Sequence, residues 1–196
     1  MKSGVQKVLS LPGVHFLITR FGPQSLRKRS FDEKFRDGSW NFAVDKSSEL
    51  VCLLEKYARN GHVLMLGCGT AGIASVLDPH KFESLLGVDI SEEAISRAKK
   101  HETDKVSFQV GDMVAHQCAR NYDLIVFLES FYYVGTLQRK RLLRSLAKCM
   151  THRGRVVITL SQPNRYAGIL KMIRRNFHVD EDRFFAGSNR YLIVFH

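Results

Sequence analysis

The sequence predicts an α/β fold: a doubly wound, seven-stranded, mostly parallel sheet that ends in a C-terminal antiparallel hairpin. Three observations carry this. Short apolar runs alternate with amphipathic helical stretches, the pattern of strands joined by helical crossovers. The first run leads straight into a glycine-rich turn, "GCGTAG" at 67–72. The last two runs have no helix between them, so they can only pair back on each other.

The elements follow in order. "DKSSELVCLLEKYARN" (45–60) carries apolar residues at Leu50, Val51, Leu53, Leu54 and Tyr57, which predicts an amphipathic helix capped by Asp45 or Ser47 and ended by Gly61. "HVLML" is a buried strand, and "AGIASVLDPH" predicts a helix that Pro79 ends. "SLLGVD" is a second strand. Ser91 then caps "EEAISRAKKH", with acids in the first turn and lysines in the last. "KVSFQV" and "YDLIVFL" are the third and fourth strands. Thr136 opens a helix with Leu142, Leu143 and Leu146 on one face, and "GRVVITL" is the fifth strand. Pro163 opens "NRYAGILKMIRRNF", and two strands surround the turn "AGSN". Residues 1–44 are expected to form a helical appendage that acts as a lid, with the catalytic domain at 45–196.

At 196 residues the chain suits one domain, and no apolar run reaches the roughly 18 residues of a membrane span. The segment 8–18 resembles the apolar core of a signal, but basic residues follow it rather than a small-residue cleavage site. Cys52, Cys68, Cys118 and Cys149 are scattered without a C-x-x-C pair, and no histidine spacing suits a metal. Reduced, buried thiols in a cytoplasmic protein without a metal site are therefore expected. Residues 1–36 carry a net +6, 37–133 a net −5 and 134–196 a net +10. That asymmetry points to an anionic partner near the flanks, or to a basic, soluble surface alone.

The turn carries the chemistry. A strand that runs into Gly67-x-Gly69 lets backbone N–H groups approach a ligand where a side chain would collide. About twenty residues on, Asp89 closes the next strand, placed to accept hydrogen bonds from the two hydroxyls of a ribose. Dinucleotides and S-adenosylmethionine both present that ribose. "GDM" at 111–113, the polar and aromatic rim "FLESFYY", and the terminal strand pair favour S-adenosylmethionine.

From about residue 61 onward the chain resembles the class I S-adenosylmethionine-dependent methyltransferases. "VLMLGCGTAG", "LLGVDISEEAISRAKK", "VSFQVGDM" and "YDLIVFLESFYYV" look like four of their motifs. "FDEKFRDGSWNF" and the doubled tyrosine resemble a group of short bacterial members acting on small molecules. The resemblance implies S-adenosyl-L-methionine as cofactor. Gly67, Cys68 and Gly69 would line its methionine moiety, Asp89 and Ile90 its ribose, and Asp112 and Met113 its adenine. Phe127 and Glu129 would border the methionine end. Two positions depart from the family. Met65 stands where an acid is usual, and Ala71 replaces a frequent glycine. Weaker donor binding is expected from Met65.

For the chemistry, Glu129 is the candidate to orient an acceptor or take a proton, and Tyr133 to hydrogen-bond it, with Tyr132 as its neighbour. Glu129 has a cofactor-only alternative, and one tyrosine of the pair is expected in the core. His116 reads as a surface residue rather than a base; Trp40 and Phe42 either cap the site or staple the appendage. The fourth motif is not N-P-P-Y, which disfavours the amino groups of bases or of glutamine as targets. The favoured activity is methyl transfer to a small, anionic molecule. A catalytically degenerate cofactor-binding protein comes second, and a NAD-dependent oxidoreductase third. Nucleic acid and an anionic membrane surface are less favoured partners. The membrane reading rests on the leading segment, where Pro12-Gly13 interrupts a continuous helix and a packed lid is the simpler account.

Overall fold

The computed structural model describes residues 12–38, 40, 48–186 and 189–196. Two helices come first, α1 (Pro12–Phe21) and α2 (Gln24–Arg36). Pro12 is the first residue of α1, where its missing N–H costs nothing. Between the helices, a Cβ on Gly22 would lie 2.6 Å from the carbonyl oxygen of Ile18, so only glycine permits this corner.

Helix α3 (Glu49–Ala58) is capped by Ser48, whose Oγ accepts from the Val51 N–H at 3.3 Å. The expected caps Asp45 and Ser47 lie outside the described residues, as do Phe42 and residues 1–11. The helix ends through two left-handed residues, Arg59 and Asn60, two residues before the predicted end at Gly61. Gly61 serves another purpose. A Cβ there would overlap the Asp123 carboxyl, which accepts from the His62 N–H at 2.9 Å and so anchors the start of the sheet.

The seven strands are β1 (His62–Leu66), β2 (Ser84–Asp89), β3 (Val106–Val110), β4 (Tyr122–Leu128), β5 (Met150–Ser161), β6 (Val179–Phe185) and β7 (Arg190–Phe195). Their spatial order is β3-β2-β1-β4-β5-β7-β6. The first five are parallel; β7 runs antiparallel to both β5 and β6. The predicted fold class and terminal hairpin are thus observed. Alternation along β1 splits the core into two layers. Val63 and Met65 face a cluster with Val51, Leu54 and Tyr57 of α3. Leu64 and Leu66 face a second, built with α5 (Thr136–Ala147) and α6 (Ala167–Asn176). Helix α4 (Glu92–Ala98) is capped as predicted, Ser91 Oγ accepting from the Ala94 N–H at 3.1 Å.

Three expectations are corrected. The stretch 71–77 is a set of turns, not a helix. Ser75 N–H reaches Ala71 O at 2.9 Å and Leu77 N–H reaches Ile73 O at 3.3 Å, but no ladder develops. A left-handed Ala71, β-branched Ile73 and Val76, and Pro79 leave too few residues to offset helix nucleation. Pro163 opens a short 3₁₀ turn, Pro163–Tyr166, and α6 begins only at Ala167. Finally, the cysteines are not all free and buried. Cys118 and Cys149 form a disulfide with Cα atoms 6.1 Å apart, while Cys52 is exposed. Tyr122 of β4 pairs with Met150 of β5, and that register sets the loops carrying the two sulfurs side by side. Among the described residues, no helix is long and apolar enough to cross a membrane.

Candidate functional site

At the C-terminal end of the parallel strands lies a cavity of about 430 Å³. That end is where open α/β sheets bind ligands, because the first crossover reverses there. The glycine turn forms its floor. Gly67 and Gly69 both have positive φ, at 77° and 56°. A Cβ on Gly67 would sit 2.4 Å from Ser130 Cβ, so the residue is fixed by close approach as well as by φ. Ser130 Oγ donates to Leu66 O at 2.7 Å and ties the turn to the end of β4.

Asp89 holds the far side of the turn. Its Oδ2 accepts from the Gly69 N–H and its Oδ1 from the Ser91 N–H, both at 2.9 Å. Burial pushes its carboxyl up from 3.8 to about 6, and the Asp32 charge adds to the rise; the hydrogen bonds from the Ser91, Gly69 and Ile90 N–H groups restrain it. Cys68 also lines the cavity, and burial holds its thiol well above the ordinary range, so it stays protonated.

The roof comes from α2, part of the expected appendage, although the sequence reading did not mark which of its residues would face the cavity. Arg27 Nη1 donates to Asp112 Oδ2 at 2.8 Å, while Asp112 Oδ1 accepts from the Val114 N–H at 3.0 Å. Asp32 accepts from Ser91 Oγ at 2.6 Å and from the Glu93 N–H at 3.2 Å; Lys28 pairs with Glu92. The Phe35 ring stands 3.5 Å from where a Gly69 Cβ would be. A signal was present: Arg27, Phe31 and Phe35 repeat every four residues, one row of a helix, and all three line the cavity.

The remaining wall is aromatic, with one carboxylate. Trp40 packs on Phe31 and Phe35 with ring centres 5.5 and 5.3 Å apart, and stands 6.0 Å from Tyr133. Tyr132 and Tyr133 both line the cavity, so neither is a pure core residue. Burial raises both phenols above their ordinary value, and the two ring centres lie 4.7 Å apart. They are hydrogen-bond donors, not bases. Glu129 sits at φ 53°, a left-handed conformation unusual without glycine. Its Oε2 accepts from the Ser161 N–H at 2.6 Å. Its Oε1 lies 3.2 Å from Arg190 Nε of β7, and neither atom makes an aligned hydrogen bond though both are buried.

Of the predicted cofactor residues, Gly67, Cys68, Gly69, Asp89, Ile90, Asp112 and Met113 line this one cavity, together with Glu129 and Tyr133. Phe127 does not. It is wholly buried in the layer beneath α5, edge-on to Phe131, because strand alternation sends Leu128 rather than Phe127 to the cavity. His116 is half-buried away from the site, with burial lowering its pKa.

A glycine turn, a carboxylate closing β2 and a doubly wound sheet make an arrangement that suits an adenosyl cofactor. Residues 63–154 match the family model described as a methyltransferase domain. That stretch, from β1 into β5, is similar to methyltransferase domains. The chain is 27% identical over 128 residues to nodulation protein S of Rhizobium tropici, a match covering 62% of this chain and 53% of that protein. The chain thus spans about half the length of that curated relative. Its fold is similar to the N-methyltransferase NodS of Bradyrhizobium japonicum solved with S-adenosylhomocysteine. There the TM-score is 0.63 at 18% identity, covering 97% of this chain and 95% of that one. It is also similar to the CcbJ methyltransferase of Streptomyces caelestis, with TM-score 0.69 at 13% identity and coverage of 85% and 95%.

The residues present fit the cofactor. The turn leaves room where Cβ atoms would stand, Asp89 has acceptor lone pairs on both oxygens besides those its backbone donors use, and Glu129 Oε1 is a buried oxygen without a hydrogen-bond donor.

Proposed function

We propose that this protein transfers a methyl group from S-adenosyl-L-methionine to a small, anionic molecule. The observation that carries the reading is that one cavity is lined both by Gly67, Gly69 and Asp89 and by Tyr132, Tyr133, Glu129 and Arg190. The bound cofactor supplies a methyl on a sulfonium, whose departure leaves a neutral thioether. The protein's own work is alignment and exclusion of water. Asp89 holds the ribose hydroxyls, and Asp112 with the Met113 backbone flanks the adenine. Tyr133 donates to the acceptor. Glu129 orients an incoming nitrogen or takes its proton, consistent with the N-methyl transfer named for the NodS relative. Arg190 gives an anionic group on the acceptor a counter-charge.

In this reading residues 1–44 act as a lid over the domain formed by 45–196, with α2 closing the donor side through Arg27 and Phe35. We place the protein in the cytoplasm, where its methyl donor is made. Cys118–Cys149 weighs against that placement, since such bonds are rare in reducing compartments. A second reading, cofactor binding without turnover, is favoured by Met65 at the cavity wall, where the family's usual acid is missing.

Titration calorimetry with S-adenosylmethionine, S-adenosylhomocysteine and NAD tests the assignment. Binding of both adenosyl ligands, lost in Asp89→Ala, supports it and justifies a screen of anionic amines for turnover. Binding without turnover of any acceptor moves the second reading ahead. Binding of NAD alone overturns both.

A further inference from the structure

Between Glu129 and Asp180 the sequence contains no acidic residue and eleven lysines and arginines. Helix α5 lies in this stretch. Its inner face, Leu142, Leu143 and Leu146, is in the core, and Arg139 is buried, its Nε donating to Val134 O at 3.0 Å. The outer flank is different. Leu137, Lys140, Arg141, Arg144 and Lys148 recur at three- and four-residue spacing and therefore share one side of the helix. With Ser145 they line a shallow hollow of about 540 Å³. Among the described residues, Lys140, Arg141, Arg144 and Lys148 have no ionic or hydrogen-bond partner. Leu137 is 95% exposed, the most exposed large apolar residue described. Helix α6, packed in the same layer, adds exposed Lys171 and Arg175.

We propose that the outer flank of α5 is a docking surface for an anionic phospholipid membrane, with Leu137 as its apolar anchor. Unpaired cations on one helix flank attract an anionic surface, at roughly fivefold in affinity for each cation near the bilayer. A nucleic acid would meet the same charge, but two features favour lipid. An exposed leucine gains nothing from a phosphate backbone and gains burial from acyl chains. The hollow also has no aromatic side chain on which a base could stack. Because α5 starts three residues after Tyr133, docking would hold the tyrosine wall of the cavity beside the bilayer. The surface stands independently of the methyl-transfer reading.

Flotation of the full chain with vesicles tests this, comparing phosphatidylcholine alone with phosphatidylcholine containing phosphatidylglycerol. The chain should float only with the anionic vesicles and be released by added salt. Lys140→Gln, Arg144→Gln and Lys148→Gln together should lower binding by about a hundredfold. Leu137→Ser should weaken it several-fold while leaving its salt dependence unchanged. Thermal melts should match wild type, because these side chains are outside the core. Failure to float with anionic vesicles, or flotation unchanged in the triple variant, overturns the proposal. So does retention on single-stranded RNA that depends on the three cations but not on Leu137, which would make the surface a nucleic-acid site.

Discussion

Arg27 of α2 and Asp112, just beyond β3, form an ion pair at 2.8 Å, with side chains only 14% and 9% exposed. The contact spans the cavity edge and joins the leading helices to the residue expected beside the adenine. In the proposed reading, the lid and the cofactor site are coupled through this ion pair.

Removing the pair tests that coupling. Arg27→Ala leaves a largely buried carboxylate without its charged partner and removes one of the contacts, besides those of Lys28 and Asp32, that hold α2 at the cavity edge. A lost charge-assisted bond is worth about 1.5–3 kcal/mol, so S-adenosylhomocysteine should dissociate at least about tenfold faster. Stopped-flow displacement reads the rate, and amide exchange over 24–36 should rise with it. Unchanged dissociation would show that α2 is not a cover.

Asp89 gives the site a pH dependence. Its folded pKa of about 6 lies above the ordinary 3.8. The folded state therefore binds the proton more tightly, and this group favours folding below about pH 4, a contribution lost as pH rises through about 6. Donor binding has the opposite sign, because only the carboxylate accepts from both ribose hydroxyls. Affinity for S-adenosylhomocysteine should be full above about pH 7 and fall about tenfold per unit below about pH 6. Calorimetry across this range is the check. Asp89→Asn should bind weakly and show no such slope.

Much of this site was legible because its determinants are local. Gly67 and Gly69 follow a strand, Asp89 ends the next, and Ser91 caps a helix through its own neighbours; each follows from spacing along the chain. What was misread depended on partners far away or on a single residue of phase. Phe127 and Leu128 differ only in which face of β4 they occupy. Cys118 and Cys149 meet through the register of β4 against β5, which no spacing reveals. Arg27, Phe31 and Phe35 formed a readable row, but nothing in the sequence said what the row would cover. The stretch 71–77 has apolar residues at helical spacing, yet its left-handed Ala71 and the later proline leave only turns.

The disulfide makes a separate prediction about stability. Cys118 and Cys149 are 31 residues apart, and closing a loop of that length restricts the unfolded chain by roughly 3–4 kcal/mol. Cys118→Ser should lower unfolding free energy by up to that amount, and a reductant should lower wild type alone. Thiol counting on protein extracted under acid quench then reports the compartment. Two thiols indicate an oxidising one, and four indicate that the bond is absent in the cytoplasm.

In the proposed reading, Met65 limits how tightly the turn holds the donor. It is 4% exposed, packed in the layer against α3, yet it also lines the cavity beside Gly67. Its thioether is a weak acceptor and gives an ammonium group no counter-charge, so that duty falls to Glu129 Oε1, already shared with Arg190. Met65→Asp should raise affinity for S-adenosylhomocysteine about tenfold to a hundredfold, the value of one charge-assisted bond. It should not change affinity for 5′-methylthioadenosine, which lacks the amino-acid end. The variant should also unfold more easily without ligand, because a carboxylate replaces a buried apolar side chain. Calorimetry with both ligands separates the effects: an equal gain for each would place Met65 near the adenosine instead, and no gain for either would mean Glu129 already supplies the charge.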